Sequence, residues 1–119
     1  MEGIALTEIK RQLREWGADP DTAIERMMND EKFYRKMLKK FAEEDELCEL
    51  GIIAREDPKE GFRIAHNLKG TARTLGLTPL YNAVCDVVED LREEPRDTLE
   101  KDLERFADQR ERYLRILGL

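Results

Sequence analysis

The stretch KEGFRIAHNLKGTARTL, residues 59–75, carries an apolar pattern that is typical of one face of an α-helix. On a helical wheel with about 100° per residue, five apolar residues fall on one side: Ile64, Ala65, Leu68, Ala72 and Leu75. The only histidine of the chain, His66, falls on the opposite side. The pattern therefore predicts an amphipathic helix that buries its apolar side and turns its imidazole to solvent.

The outer face of this predicted helix combines a cation with a glycine beside the histidine. Lys69, Gly70 and Arg73 follow His66 at i+3, i+4 and i+7, and Phe62 precedes it by one turn. Glycine costs about 1 kcal/mol relative to alanine inside a helix, and core packing does not require a small residue on an exposed face. The missing side chain would leave room for another macromolecule, while the lysine would bring N–H donors suited to a phosphate.

These residues suggest a chemistry for the imidazole. A lone histidine is most often an incidental surface residue, but an exposed imidazole has an unprotonated nitrogen near neutral pH and is a competent nucleophile. A phosphoryl group is a fitting electrophile, because Lys69 could hold its oxygens and Gly70 would keep the line of attack open. The sequence contains no ATP-binding glycine loop and no recognisable metal-binding Asp pattern, so a partner would have to supply both.

Composition limits the other possibilities. The 119 residues suit one domain with a modest core, and the formal net charge of −6 argues against a general affinity for nucleic acid. Basic residues nevertheless concentrate around the histidine, with four basic side chains and one acidic side chain between residues 59 and 73. The ordinary interpretation of such a cluster is a solvated helix face.

No apolar run approaches the ~20 residues that a membrane span needs, and the start MEGIALTEIK does not resemble an export signal. We therefore expect no membrane association, a cytoplasmic protein, and reduced thiols at Cys48 and Cys85. Two cysteines and one histidine give no recognisable zinc-binding spacing, so we expect no metal site in this chain.

The remaining sequence is also dominated by helical periodicity, and it contains no hairpin signal. We expect short helices over residues 7–16 and 22–28, a single long helix from its N-cap Asp30 to about residue 57, and further helices over 59–75, 79–92 and 98–117. Thr78 is expected to cap the helix that begins at Pro79. The apolar stripe of the long helix is expected to contain Tyr34, Leu38, Phe41, Cys48 and Ile52.

Four long amphipathic helices with short connections predict an all-α fold, an antiparallel up-down four-helix bundle. We expect a single domain over residues 1–119, with the bundle in residues 30–119. One or two short helices in residues 1–29 would cover one end of it.

The stretch AHNLKGTARTLGL, residues 65–77, resembles the motif of histidine phosphotransfer domains. That motif reads Ala-His-x-Leu-Lys-Gly with a Leu-Gly pair about ten residues after the histidine. The matching positions are His66, Leu68, Lys69, Gly70, Leu75 and Gly76. EKFYRKMLKKFAEE, residues 31–44, is similar to the family's Tyr-x-x-x-Leu-x-x-Phe helix, so the resemblance extends over about residues 21–92.

The resemblance implies a phosphocarrier rather than an enzyme, which takes a phosphoryl group from the aspartyl phosphate of one receiver domain and passes it to another. His66 would be the phosphoacceptor, with Lys69 stabilising the phosphate and Gly70 giving access. The expected partners are response-regulator receiver domains and a hybrid or separate histidine kinase. The chain would be a monomer without a cofactor, and the receiver would supply the divalent metal. The implied docking residues are Phe62, Arg63, Asn67 and Arg73.

Two positions depart from the family pattern. Arg73 stands where the family usually has a small residue, and we expect it to add a contact to the phosphate or the receiver. Many members carry a glutamate 22 residues after the histidine, where this chain has Val88, and Glu89 is turned about 100° away on the helix. His66 would then lack a carboxylate partner, which would affect its rate of phosphorylation.

Two alternative functions stay open. The chain could be a helical module that binds a receiver through Phe62 and the basic residues without being phosphorylated. It could also be the phosphoacceptor domain of a chemotaxis-type histidine kinase, which FRIAH also resembles; we rank this lower because the sequence shows no dimerisation or ATP-binding segment. A hydrolytic or metal enzyme is least favoured, because no nucleophile, base and orienting group can be assembled from the motifs.

Overall fold

The structure, a computed structural model, describes residues 3–119, and in that range it contains helices but no strand. The helices are α1 (Leu6–Trp16), α2 (Pro20–Arg26), α3 (Glu31–Ala42), α4 (Asp45–Glu56), α5 (Pro58–Thr74), α6 (Thr78–Leu91) and α7 (Leu99–Ile116). The predicted all-α helical bundle is confirmed.

Helices α4 to α7 form the bundle. Helix α5 packs between α4 and α6, and α6 packs on α7. Because short connections join them, successive helices run antiparallel. The N-terminal helices lie at the end where α5 turns into α6: the Asp19 amide donates to the Gly76 carbonyl at 2.8 Å, and the Trp16 Nε1–H donates to Gln109 Oε1 at 2.8 Å.

The expectation of a single helix from residue 30 to about 57 is wrong. Helix α3 ends at Ala42 and α4 begins at Asp45, with Glu44 between them in an extended conformation at φ −68° and ψ 126°. The interruption changes the face that the second half buries. Cys48 and Ile52 are exposed, contrary to the prediction. The residues that α4 buries instead are Leu47, Leu50 and Ala54.

Two buried tyrosine hydroxyls hold α3 against the bundle. The Tyr34 hydroxyl donates to the Leu75 carbonyl at 2.8 Å, and the Tyr113 hydroxyl donates to the Leu38 carbonyl at 2.5 Å. Burial raises the pKa of both tyrosines, so both hydroxyls keep their protons around neutral pH. Helix α3 is thereby fixed beside the C-terminal half of α5.

Most helix ends agree with the sequence signals. Asp30 caps α3 by accepting from the Phe33 amide at 3.0 Å, and Pro58 begins α5. Gly76 has a positive φ of 70°, and a Cβ there would lie 2.3 Å from the Asp19 carbonyl oxygen, so only glycine fits. Thr78 is the first residue of α6 rather than its N-cap, which is Leu77.

A pair of carboxyl groups joins the end of α6 to the start of α7. Asp90 is 2 % exposed, and its Oδ1 accepts from the Thr98 hydroxyl at 2.5 Å. Its Oδ2 is buried and receives no hydrogen bond from residues 3–119 when both carboxyls are ionised. A hydrogen bond to Asp90 raises the pKa of Asp102, and partial burial and the Asp90 charge raise it further, against the opposing charges of Arg105 and Lys101.

This pair predicts a pH-dependent stability. Because the pKa of Asp102 is higher in the folded chain than in the unfolded chain, its ionisation destabilises the fold above the folded pKa, and the loss is recovered as the pH falls through it. Asp102→Asn should raise the free energy of unfolding by about 1 kcal/mol at pH 7, because the amide donates to Asp90 without carrying charge.

Urea unfolding at pH 7 and pH 4 tests this prediction, and the gain should be smaller at pH 4. Asp108→Asn changes an exposed carboxyl on the same helix and should leave stability nearly unchanged. An Asp102→Asn variant with the same pH dependence as the parent would contradict a shared proton between the two carboxyls.

Candidate functional site

Helix α5 presents the histidine as the wheel predicts. Ile64, Ala65, Leu68 and Ala72 are at most 2 % exposed, which places one side of α5 in the core. His66 is exposed on the other side, about halfway along the helix. The packing of α4 and α6 against α5 therefore fixes the backbone under the imidazole, while the ring itself stays accessible to a partner.

The imidazole has one aromatic neighbour and no hydrogen bond to residues 3–119. The ring centroids of Phe62 and His66 are 6.1 Å apart with an interplanar angle of 66°, an edge-to-face contact. Val88, at the position of the family's glutamate, is 1 % exposed and belongs to the core. At this position the chain therefore supplies a packed apolar side chain and no carboxylate.

Gly70 lies next to His66 with open space in front of it. A Cβ added at Gly70 would meet no atom within 4 Å outside its own chain neighbours and helix backbone. Packing therefore does not require glycine at this position, and its backbone lies inside a helix where alanine would be more stable.

Gly70→Ala should consequently stabilise the chain by about 0.5–1 kcal/mol. If a partner must approach the imidazole over this gap, the same methyl group should slow phosphoryl transfer about tenfold, because a displacement near 1 Å strongly affects reactive geometry. Urea unfolding and single-turnover transfer kinetics measure the two effects. Gly51→Ala is the matched control, because only the end of the flexible Arg55 side chain opposes a Cβ there. Equal transfer rates in both variants would show that Gly70 does not provide access to the imidazole.

Two flanks border the histidine. On the first, which we call the α3 groove, Met27, Phe33 and Met37 face His66 and Gly70 across a cavity volume of about 480 Å³. Phe33 is 45 % exposed although it is aromatic. This groove was not predicted from the sequence; the available signal was the i, i+4 spacing of Phe33 and Met37, outside the apolar stripe of the helix.

The second flank carries most of the charged residues near His66. We call it the α6 flank, and it contains Phe62, Lys69, Arg73, Glu89 and Arg92. Lys69 is half-buried, and its charge helps to lower the pKa of Glu89, although the main cause is the hydrogen bond from Arg92. The Arg92 guanidinium carbon lies 5.7 Å from the centroid of the Phe62 ring. Arg73 lies farther along, at a pocket of about 370 Å³ that Tyr81 also lines.

The predicted docking residues are thus divided between surfaces. Asn67 borders the α3 groove, whereas Phe62 and Arg73 belong to the α6 flank. Arg63 points toward α4, where its Nη2 pairs with Glu60 at 2.5 Å and with Glu46 at 3.0 Å. These pairs raise the pKa of the Arg63 guanidinium and neutralise much of its charge. The basic surface near His66 is therefore formed mainly by Lys69 and Arg73, because Arg92 is paired with Glu89.

Within residues 3–119, no group of three or more His, Cys, Asp and Glu side chains is arranged to hold a metal ion. No helix in that range has an apolar stretch long enough to cross a bilayer.

Comparison with known proteins adds one match. A family model described as Hpt domain matches residues 32–115, which include α4 to α6 and all but one residue of α3 and of α7. The comparisons found no matching curated protein and no matching solved structure. The matched range contains His66 and both of its flanks except Met27.

Proposed function

Because this chain belongs to the Hpt domain family, whose members are histidine phosphotransfer domains of two-component systems, we propose that it accepts a phosphoryl group on His66 from one receiver domain and passes it to another. Members of the family are phosphocarriers rather than kinases. The single observation that carries the assignment to His66 is the exposure of the chain's only imidazole on a rigid helix, beside a glycine that packing does not need.

The proposed step needs only one group from this chain. The outward ring nitrogen attacks the phosphorus of a receiver aspartyl phosphate, the N–P bond forms, and the P–O bond to the aspartate breaks to release its carboxylate. The exposed ring can release a proton from its other nitrogen to solvent. Transfer onward reverses these steps, with a carboxylate of the second receiver as nucleophile and the His66 nitrogen as leaving group.

Lys69 supplies positive charge for the transferred group. Its position one turn after His66 on the same helix places it beside the imidazole, and an ammonium can donate to phosphoryl oxygens. We propose no cofactor for this chain, and the divalent metal that screens the phosphoryl charge would come with the receiver. Lys69 and Arg73 would complement the acidic surface around that metal.

The α3 groove is proposed as the apolar part of the receiver-docking surface, together with Asn67. Phe33→Ser should raise the KM for a phosphorylated receiver about tenfold while kcat stays within twofold, because truncating a central aromatic contact weakens binding by more than 1 kcal/mol. Single-turnover transfer measured against receiver concentration separates the two constants.

Ile52→Ser provides the matched control. Ile52 is 60 % exposed and lies on the pocket between α4 and α7, away from the α3 groove. This variant should leave both constants unchanged. Equal KM values for the two variants would place the receiver on another surface.

The experiment that tests the function is incubation of the purified chain with a panel of receivers carrying radiolabelled aspartyl phosphate. The expected result is label on this chain that is lost in acid and retained in alkali, as for an N–P bond. An acid-stable label, or no label from any receiver, would overturn the proposal.

A further inference from the structure

Phe62 is less available to a partner than its place on the outer face of α5 predicts. It is half-buried and packs against the core, and Arg92 covers its ring at 5.7 Å. The imidazole of His66 also contacts the Phe62 ring. A side chain held between a guanidinium and a reactive ring is suited to a role other than docking.

We propose that Glu89, Arg92 and Phe62 form a positioning chain that fixes the orientation of the His66 imidazole for phosphoryl transfer. The inference rests on the proposed function, because it assigns these residues a role in the same site. It makes Phe62 a positioning residue, which acts through the imidazole, rather than a docking residue.

The first link is the ion pair at the end of α6. Arg92 Nε donates to Glu89 Oε2 at 3.1 Å, and Arg92 Nη2 donates to Glu89 Oε1 at 2.7 Å. This two-point contact fixes the plane of the guanidinium better than a single bond would. The hydrogen bond also lowers the pKa of Glu89, so the carboxylate stays ionised around neutral pH.

The second link crosses from α6 to α5. A guanidinium within about 6 Å of a ring centroid is attracted by the negative face of the ring. Arg92 lies within this distance of the Phe62 ring, so a residue fixed at the end of α6 restrains an aromatic ring on α5. Phe62 is only half-buried, so its contact with the core leaves part of the ring exposed and the guanidinium adds a restraint there.

The third link reaches the nucleophile. The 66° angle between the rings of Phe62 and His66 favours one orientation of the imidazole about its side-chain bonds. Gly70, one turn to the other side, has no side chain to provide a similar restraint, and His66 has no hydrogen bond within residues 3–119. The aromatic contact can therefore replace part of the orienting effect that a carboxylate would give at the position of Val88.

Kinetics separate this role from docking. Phe62→Leu should lower kcat about fivefold and Arg92→Gln about threefold at unchanged KM, whereas loss of a docking contact raises KM. Phe62→Tyr keeps the ring and Arg92→Lys keeps the cation, so both should retain kcat within twofold. Arg105→Gln is the control, because that arginine pairs with Asp86 between α6 and α7 and should leave both constants unchanged.

A second readout does not need phosphorylation. Because the chain has a single histidine, its ring signals in an NMR spectrum are unambiguous, and three-bond couplings report its rotamer distribution. The parent, Phe62→Tyr and Arg105→Gln should show one dominant rotamer, and Phe62→Leu and Arg92→Gln should show averaging. Unchanged couplings in Phe62→Leu, or a raised KM with unchanged kcat, would overturn the positioning chain. A chain that takes no label from any receiver but shows these rotamer changes would overturn the proposed function alone.

Discussion

His66→Gln should reduce phosphoryl transfer from a phosphorylated receiver by at least about a thousandfold, because glutamine has no nucleophilic lone pair to replace the ring nitrogen. The side chain is exposed, so the free energy of unfolding should stay within about 0.5 kcal/mol of the parent value. Transfer of radiolabel within seconds to minutes, measured with equal concentrations of folded protein, checks both statements.

The same variant distinguishes the phosphocarrier from a module that only binds. Receiver affinity should be nearly unchanged in His66→Gln, because the α3 groove and the basic residues remain. Asn67→Ala removes a proposed docking contact beside the histidine but keeps the nucleophile, so it should retain a transfer rate within tenfold of the parent. Normal labelling of His66→Gln would show that another residue accepts the phosphoryl group.

Gly61→Ala should lower the free energy of unfolding by about 2 kcal/mol, because α4 crosses α5 at this glycine. A Cβ at Gly61 would lie 2.6 Å from the Ala54 Cα and 2.9 Å from its Cβ. Both atoms belong to a helix in the core, and neither can move without shifting α4. The clash outweighs the gain of about 1 kcal/mol that alanine would otherwise bring within a helix.

Urea unfolding of Gly61→Ala and Gly70→Ala side by side tests this explanation. Both variants place the same methyl group on α5, but the expected effects have opposite signs. Helix propensity alone would stabilise both, so a similar change in both variants would contradict the close approach of α4 at residue 61.

The family assignment and the exposure of His66 were predictable because both depend on local sequence. The spacing of the apolar residues in α5 identifies the buried side, and an amphipathic helix must then expose the opposite side. The starts of α3 and α5 were equally predictable, because Asp30 and Pro58 act within one turn of their own positions. Such signals do not depend on which helix lies next to which.

The surroundings of His66 were less predictable. The sequence places Phe62 and Arg73 on the same face as the histidine, but it does not show that Arg92 covers one of them or that Glu46 pairs with Arg63. Those contacts join residues from different helices, and their formation depends on how the helices pack. Phe33 and Met37 reach the site for the same reason. The break in the helix at Glu44 allows α3 to lie beside α5, and the sequence did not predict that break.

The sequence by itself determined the helical class, the face of α5 that carries the imidazole, and the glycine beside it, because each follows from the fixed geometry of a single helix. Only the tertiary structure decided where the predicted long helix breaks, which glycine of α5 is required by packing, and what flanks His66. Contacts between helices settle those features, through buried hydroxyl bonds from Tyr34 and Tyr113 and through the close approach of Ala54 to Gly61.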